Sequence, residues 1–192
     1  MATKREKTRE SIIDASYTVF AQNGFNRITM KDICEATGLS RGGLYSHFDS
    51  TKAIFEALLE RMNQKQQMDF FGEMEKGIPA TTILENALQL MKDEMNCPED
   101  SLSLAMYEYA GSVDGDMMEH FNQIGEMKWT ALVEYGIEHG EFNQVDVKEI
   151  VNMILYVYQG VRMWSCVVKM QPETIDSITS HIRKQLIKEE QE

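Results

Sequence analysis

Residues 29–48 read TMKDICEATGLSRGGLYSHF, and their spacing describes two short helices joined by a tight turn. Thr29 suits a helix N-cap, with Asp32 three residues on. Met30, Ile33 and Cys34 place apolar side chains on one face, the small Cys34 lying where a second helix would cross. Gly38 ends this helix, because the residue after a helix end often needs positive φ. Leu39 points back to the core. Ser40 is a second N-cap, and Leu44 and Phe48 form the inward face of the helix it starts. A helix, a turn with Gly and a second helix make a helix-turn-helix unit. The second helix of such a unit can enter the major groove of DNA and present its first residues to base edges. Its outward positions are Arg41, Gly42, Gly43, Tyr45, Ser46 and His47. Two adjacent glycines disfavour a helix by about 1 kcal/mol each relative to Ala. Close approach to DNA is a gain that offsets this.

Upstream, the spacing predicts a helix over Thr8 to Asn23 with Ile12, Ala15, Ser16, Val19 and Phe20 inward and Gly24 closing it. Residues 1–8 read as a charged, mobile arm, either a basic contact to phosphates or the minor groove, or a solvated terminus. Downstream, Ser50 caps a helix with Ile54, Phe55, Leu58, Leu59 and Met62 on one face, continuing through residues 65–67 to about Lys76, where Gly77 and Pro79 break it. Further helices are expected over Thr81–Met95, ended by Cys97-Pro98, over Ser101–Gly111, over Gly115–His139, over Asp146–Met170 and from Pro172 onward, with a fraying charged end. Three prolines and no alternating β-branched runs give an all-α fold. The expected division is a three-helix DNA-binding domain over 1–50 and a helical effector-binding and dimerisation domain over 51–192.

The chain carries a formal charge of −12, yet residues 1–52 hold eight Lys/Arg and six acids. A head of net +2 therefore sits on a body of −14, which suits a small nucleic-acid-facing part on an acidic carrier. With so weak a field, affinity depends on well-placed phosphate contacts and a dimer. Cys34, Cys97 and Cys166 are odd in number and far apart, which together with a polar N-terminus fits a reducing cytoplasm. The longest apolar run, Met153 to Tyr158, is too short to span a bilayer, so no membrane partner is expected. No HExxH, Gly-rich phosphate loop or GxSxG occurs. The chain therefore reads as a non-enzyme without cofactor or metal.

The second half is rich in Met and aromatic residues. Met side chains adapt to varied apolar shapes, and aromatic rings with carboxylates suit a lipophilic cation. Candidate effector contacts are Met91, Met95, Tyr107, Glu108, Trp129, Tyr156 and Trp164, with Asp93, Glu94 and Glu126 as further acids; the same stripes also fit an ordinary core. The helices over 146–170 and from Pro172, the eighth and ninth in order, are long. The former is apolar over more of its circumference than one core face needs, which points to a homodimer.

Phe20 to Phe25 (FAQNGF), Thr29-Met30, Ile33, Gly38-Leu39-Ser40, Gly42, Leu44-Tyr45 and Phe48 resemble the DNA-binding domain of TetR/AcrR-type transcriptional regulators, over about Glu10 to Leu59. The resemblance implies a repressor that binds a near-palindromic operator as a dimer and is released by a small molecule. It also implies that the last two long helices pair into a four-helix bundle. Two positions depart from the family: Thr51 replaces the usual Lys, with Lys52 next to it, and Gly43 replaces the usual Thr or Ser. The expected DNA contacts are Arg41 to a guanine edge or phosphate, Thr29, Tyr45, His47 and Lys52 to phosphates, and Ser40, Gly42 and Gly43 by backbone approach. The alternative is a helical protein–protein adaptor without sequence-specific DNA binding.

Overall fold

The computed structural model describes residues 3–64, 68–97, 101–112 and 116–188. Expectations for Met1 and Ala2, for 65–67, for Pro98, for Gly115 and for the last residues from 189 lie outside them. The described helices are α1 (Lys4–Asn23), α2 (Met30–Thr37), α3 (Arg41–Tyr45), α4 (Thr51–Gln64), α5 (Phe70–Glu75), α6 (Ala80–Asn96), α7 (Ser103–Ala110), α8 (Asp116–Glu138), α9 (Val147–Ser165) and α10 (Pro172–Leu186). They fall into two compact units, one built from residues 3–64 and 101–112, the other from 68–97 and 116–188.

In the first unit, α1 packs on α2, α4 and α7, and α2 packs on α3. Ile12, Ile13, Phe20, Ile33, Leu44, Ile54 and Phe55 are all but inaccessible. Phe55 lies at the centre of a ring cluster, 4.8 Å from Phe20, 5.2 Å from Phe25 and 5.2 Å from Tyr109. Arg61 ties α4 to α1 by pairing with Glu10 at 2.9 Å and Asp14 at 2.7 Å. Aromatic packing and ion pairs thus hold α4 and α7 in this unit, whereas the sequence division fell after residue 50.

Three boundaries differ from the sequence reading. Residues 4–8, expected as a mobile arm, are the first turns of α1. Thr3 caps them and Glu6 closes a reciprocal capping box, with Glu6 N–H donating to Thr3 at 3.2 Å and Thr3 N–H donating to Glu6 at 2.6 Å. The helix expected to run on to Lys76 is interrupted: α4 is described as far as Gln64, Met68 and Asp69 are not helical, and Asp69 starts α5 by accepting the Gly72 N–H at 3.1 Å. The helix expected to reach Met170 stops at Ser165, where the N–H groups of Val167 and Val168 both turn back to the Trp164 carbonyl at 2.9 Å. β-Branched residues favour helix weakly, and Pro172 holds Gln171 extended just beyond. Among side chains, Met62 is exposed rather than inward, Ala15 and Val19 are only half-buried, and Ile13 joins the core instead.

The second unit packs α5, α6, α8, α9 and α10 around Ile83, Leu84, Met95, Leu132, Val133, Ile154, Ile182 and Leu186. Phe142, from the loop after α8, is fully buried there. Gly136 makes room for it, since a Cβ at that position would overlap the Phe142 ring. Beside it, Asn143 N–H donates to the Leu186 carbonyl at 2.7 Å, which pins the end of α10.

Glu141 caps α6 from a distance in sequence. Its carboxylate accepts the Ala80 N–H at 3.1 Å and the Thr81 N–H and hydroxyl, each at 2.9 Å, at the positive end of the helix dipole. Desolvation pushes this carboxyl up, but the bonds from Thr81 and Ala80 outweigh it and hold it below its ordinary 4.5. A carboxylate lowered on folding stabilises the protein above the unfolded value, and that stability is lost as pH falls through the folded value. Glu141→Gln is therefore expected to melt at a lower temperature than the parent at pH 7, with the difference narrowing below pH 4.5. Thermal unfolding across pH checks it, and a difference independent of pH would contradict it.

Candidate nucleic-acid interface

The helix-turn-helix forms as its caps dictate. Thr29 N–H and hydroxyl donate to Asp32 at 2.8 and 2.7 Å, and Asp32 N–H returns to the Thr29 hydroxyl at 3.4 Å. The Thr29 hydroxyl, then its amide, holds the Asp32 carboxyl below its ordinary value. Gly38 takes φ +69°, the left-handed conformation that ends α2 without Cβ strain. Ser40 is extended and its hydroxyl accepts the Gly43 N–H at 3.2 Å. Leu44 and Phe48 are buried at 0% and 4%. They anchor α3 so that Arg41, Gly42, Tyr45 and Ser46 stay exposed.

The sequence-expected DNA residues meet different fates. Arg41 is exposed, its guanidinium 5.9 Å above the Tyr45 ring. Nothing lies within 4 Å of where a Cβ on Gly42 would stand, so the fold does not require glycine there. At Gly43 the same Cβ would meet the Ser40 hydroxyl at 3.2 Å. Thr29 is exposed, but its hydroxyl is engaged in the cap. Lys52 is exposed and stands 3.7 Å from Glu56, an ion pair of the surface kind that contributes little. His47, read as outward, is only half-buried, and its Nδ1 is enclosed without a hydrogen-bond partner.

Two residues of α1 that the sequence reading did not single out support this surface. Arg5 donates to the Ser46 carbonyl at 3.3 Å, and Arg9 lies 4.7 Å over the Phe48 ring. The T-x-x-E capping signal at Thr3–Glu6 could have revealed that these arginines are helical and positioned.

Of the seven effector candidates, five lie in the second unit and two in the first. Met91, Met95 and Trp129 belong to the core of the second unit, with Phe70 edge-on to Trp129 at 5.3 Å. Tyr156 and Trp164, in the same unit, are 69% and 57% exposed on α9. Tyr107 is exposed on α7, and the neighbouring Glu108 carboxylate is bound to backbone N–H groups of Phe25 and Asn26. Glu94 faces Arg162 at 3.8 Å; burial pushes its carboxyl up and the Arg162 charge opposes this. Asp93 accepts the Gln89 side-chain amide at 2.8 Å, so three of the four acids read as partners for a cation are already engaged. An open groove of about 420 Å³ along α8, lined by Gln123, Glu126, Met127, Thr130, Ala131 and Glu134, contains none of the seven candidates. Among the described residues no group of three or more His, Cys, Asp or Glu is placed to hold a metal ion, and no helix is long and apolar enough to cross a membrane.

Residues 12–58 match the family model described as bacterial regulatory proteins, tetR family. The transcriptional regulator YfiR of Bacillus subtilis (strain 168) is 25% identical over 165 residues, covering 82% of this chain and 79% of that protein. The transcriptional repressor KstR2 of Rhodococcus jostii (strain RHA1) is 24% identical over 148 residues, covering 73% and 71%. In fold, the chain is similar to a TetR-family regulator from Agrobacterium tumefaciens, with a TM-score of 0.78 at 17% identity over 96% of this chain and 100% of that one. The matched residues are those that build the capped α2–α3 pair and its α1 and α4 supports, so residues 12–58 form a DNA-binding domain of the tetR-family type, and the chain as a whole is similar to TetR-family transcriptional regulators.

Proposed function

We propose that this regulator is a repressor that binds a near-palindromic operator as a homodimer and is released by a small lipophilic molecule. The observation that carries the DNA reading is α3: Arg41, Gly42 and Tyr45 are exposed on a helix whose other face is locked by Leu44 and Phe48. Arg41 reads a guanine edge, because its fork matches O6 and N7. Tyr45, His47 and Lys52 contact phosphates, while Ser40, Gly42 and Gly43 let the backbone approach. Thr29 contributes at the first turn of α2, its hydroxyl shared with the cap. DNA reading is assigned to residues 1–50, and effector binding and dimerisation to 51–192. That the relative KstR2 is a repressor supports the direction of control.

The dimer reading rests on α9 and α10. Tyr156, Gly160 and Trp164 recur at helical spacing on α9 and are exposed, and Val167 in the turn after it is exposed too, Tyr156 and Val167 at 69% and 73%. An apolar stripe of this kind is unusual on a free surface, and a second copy of α9 and α10 would cover it. For the effector, the Glu94–Arg162 pairing favours a neutral lipophilic molecule over a cation. Release requires that it bind the DNA-incompetent state more tightly than the DNA-bound one. Selection from a random DNA pool tests the operator. Inverted half-sites whose centres lie about 10 base pairs or more apart should be enriched, and enrichment of a single unpaired half-site would contradict the dimer.

Gly42→Ala separates folding from recognition. The new Cβ enters space that no atom of the chain occupies, and Ala favours helix over Gly by up to about 1 kcal/mol. The melting temperature should hold or rise. Operator affinity should fall by at least about tenfold, or 1.4 kcal/mol, because the methyl stands where DNA approaches. Parental affinity in fluorescence anisotropy would remove Gly42 from the interface.

A further inference from the structure

We propose that Glu108 is a positioning residue for DNA recognition, a carboxylate latch from α7 that fixes the turn between α1 and the helix-turn-helix pair. The proposal rests on the DNA-binding reading above. Glu108 Oε2 accepts the N–H of Phe25 at 2.7 Å and of Asn26 at 2.9 Å. Two successive amides on one charged oxygen are hydrogen bonds of the stronger, charge-assisted kind.

The turn is shaped to admit this carboxylate. Gly24 is buried with φ +75°, and a Cβ there would lie 2.6 Å from Oε2, 3.0 Å from Cδ and 3.1 Å from Oε1 of Glu108. The backbone angle requires glycine, and a Cβ there would in addition displace the carboxylate from beside the turn. The next residue of α7 grips a second element. Tyr109 Oη donates to Glu56 of α4 at 2.7 Å, and its ring meets Phe25 edge-on at 5.2 Å. Adjacent residues of one short helix therefore hold both the α1–α2 turn and α4. From Asn26 only Arg27 and Ile28 intervene before Thr29, the cap of α2. The direction in which α2 leaves, and with it the aim of α3, is set at the latched amides.

A solely stabilising carboxylate would change melting without changing sequence discrimination, so the test reads both. Glu108→Ala, Glu108→Gln, Gly24→Ala and the Glu108→Ala/Gly24→Ala double variant are compared with the parent on the upstream fragment of its own gene and on shuffled DNA. Measurements are made at a temperature where circular dichroism shows each folded. Glu108→Ala should lose about tenfold or more of operator affinity with its affinity for shuffled DNA unchanged, and Glu108→Gln, which keeps one acceptor oxygen, should lose less. Gly24→Ala should weaken operator binding more in the parent than in the Glu108→Ala background, where the oxygen it collides with is gone. Amide hydrogen exchange should show Phe25 and Asn26 losing protection in Glu108→Ala. Parental operator affinity in a folded Glu108→Ala, or unchanged protection at both amides, overturns the latch. A parent that itself fails to prefer the native fragment overturns the underlying DNA-binding reading, and is told apart because the defect is then present without any substitution.

Discussion

Phe55→Ala is expected to destabilise the first unit by about 3–5 kcal/mol, the range for removing a fully buried phenyl ring. Phe55 has no accessible surface and meets the rings of Phe20, Phe25 and Tyr109, which come from α1, the turn after it and α7. Its removal leaves a cavity that three separate elements would have to collapse into. Whole domains have stabilities of only about 5–15 kcal/mol, so much of the first unit's folded population should be lost on mild urea addition. Urea unfolding followed by far-ultraviolet circular dichroism checks this. A loss below about 1 kcal/mol, the cost of a conservative core change, would contradict the central place given to Phe55.

Arg41→Ala is expected to weaken operator binding by about 1–3 kcal/mol and to relax base preference at the contacted position. Stability should be unchanged, because the guanidinium is exposed and its one described ring contact, to Tyr45, is a distant 5.9 Å. Arg41→Lys should restore affinity only in part, since an ammonium cannot form the bidentate fork that guanine accepts. Anisotropy on operator variants reads both effects. Parental affinity in a folded Arg41→Ala protein would mean that another residue reads the groove.

What the sequence made legible was local. Thr29, Gly38 and Ser40 act within three or four residues of themselves, so their caps and turn follow from spacing alone, and the structure builds the α2–α3 pair on them. The start of α1 was also encoded locally, in Thr3 and Glu6, but the run Lys4 to Arg9 resembles a solvated tail and hid it. The break between α4 and α5 was hidden for the opposite reason. Residues 63–69 contain neither Gly nor Pro, and the local signal is the side chain of Asp69, which starts α5 anew by accepting the Gly72 N–H. Long-range partners left no trace in sequence. Glu108 looked like a pocket acid because the amides it binds lie 82 and 83 residues away. Glu94 looked free because Arg162 is on a helix far along the chain. The apolar circumference of α9 predicted a second partner surface, but spacing alone does not tell the buried Ile154 and Val161 from the exposed Trp164.

The most direct test of the account is fluorescence anisotropy of the purified protein on DNA from immediately upstream of its own gene, against a shuffled control, across a salt series. An operator-reading regulator should bind the native fragment at least about a thousandfold more tightly than the control, with log affinity falling linearly as log salt rises. Equal, weak binding to both fragments at every salt concentration would contradict the account.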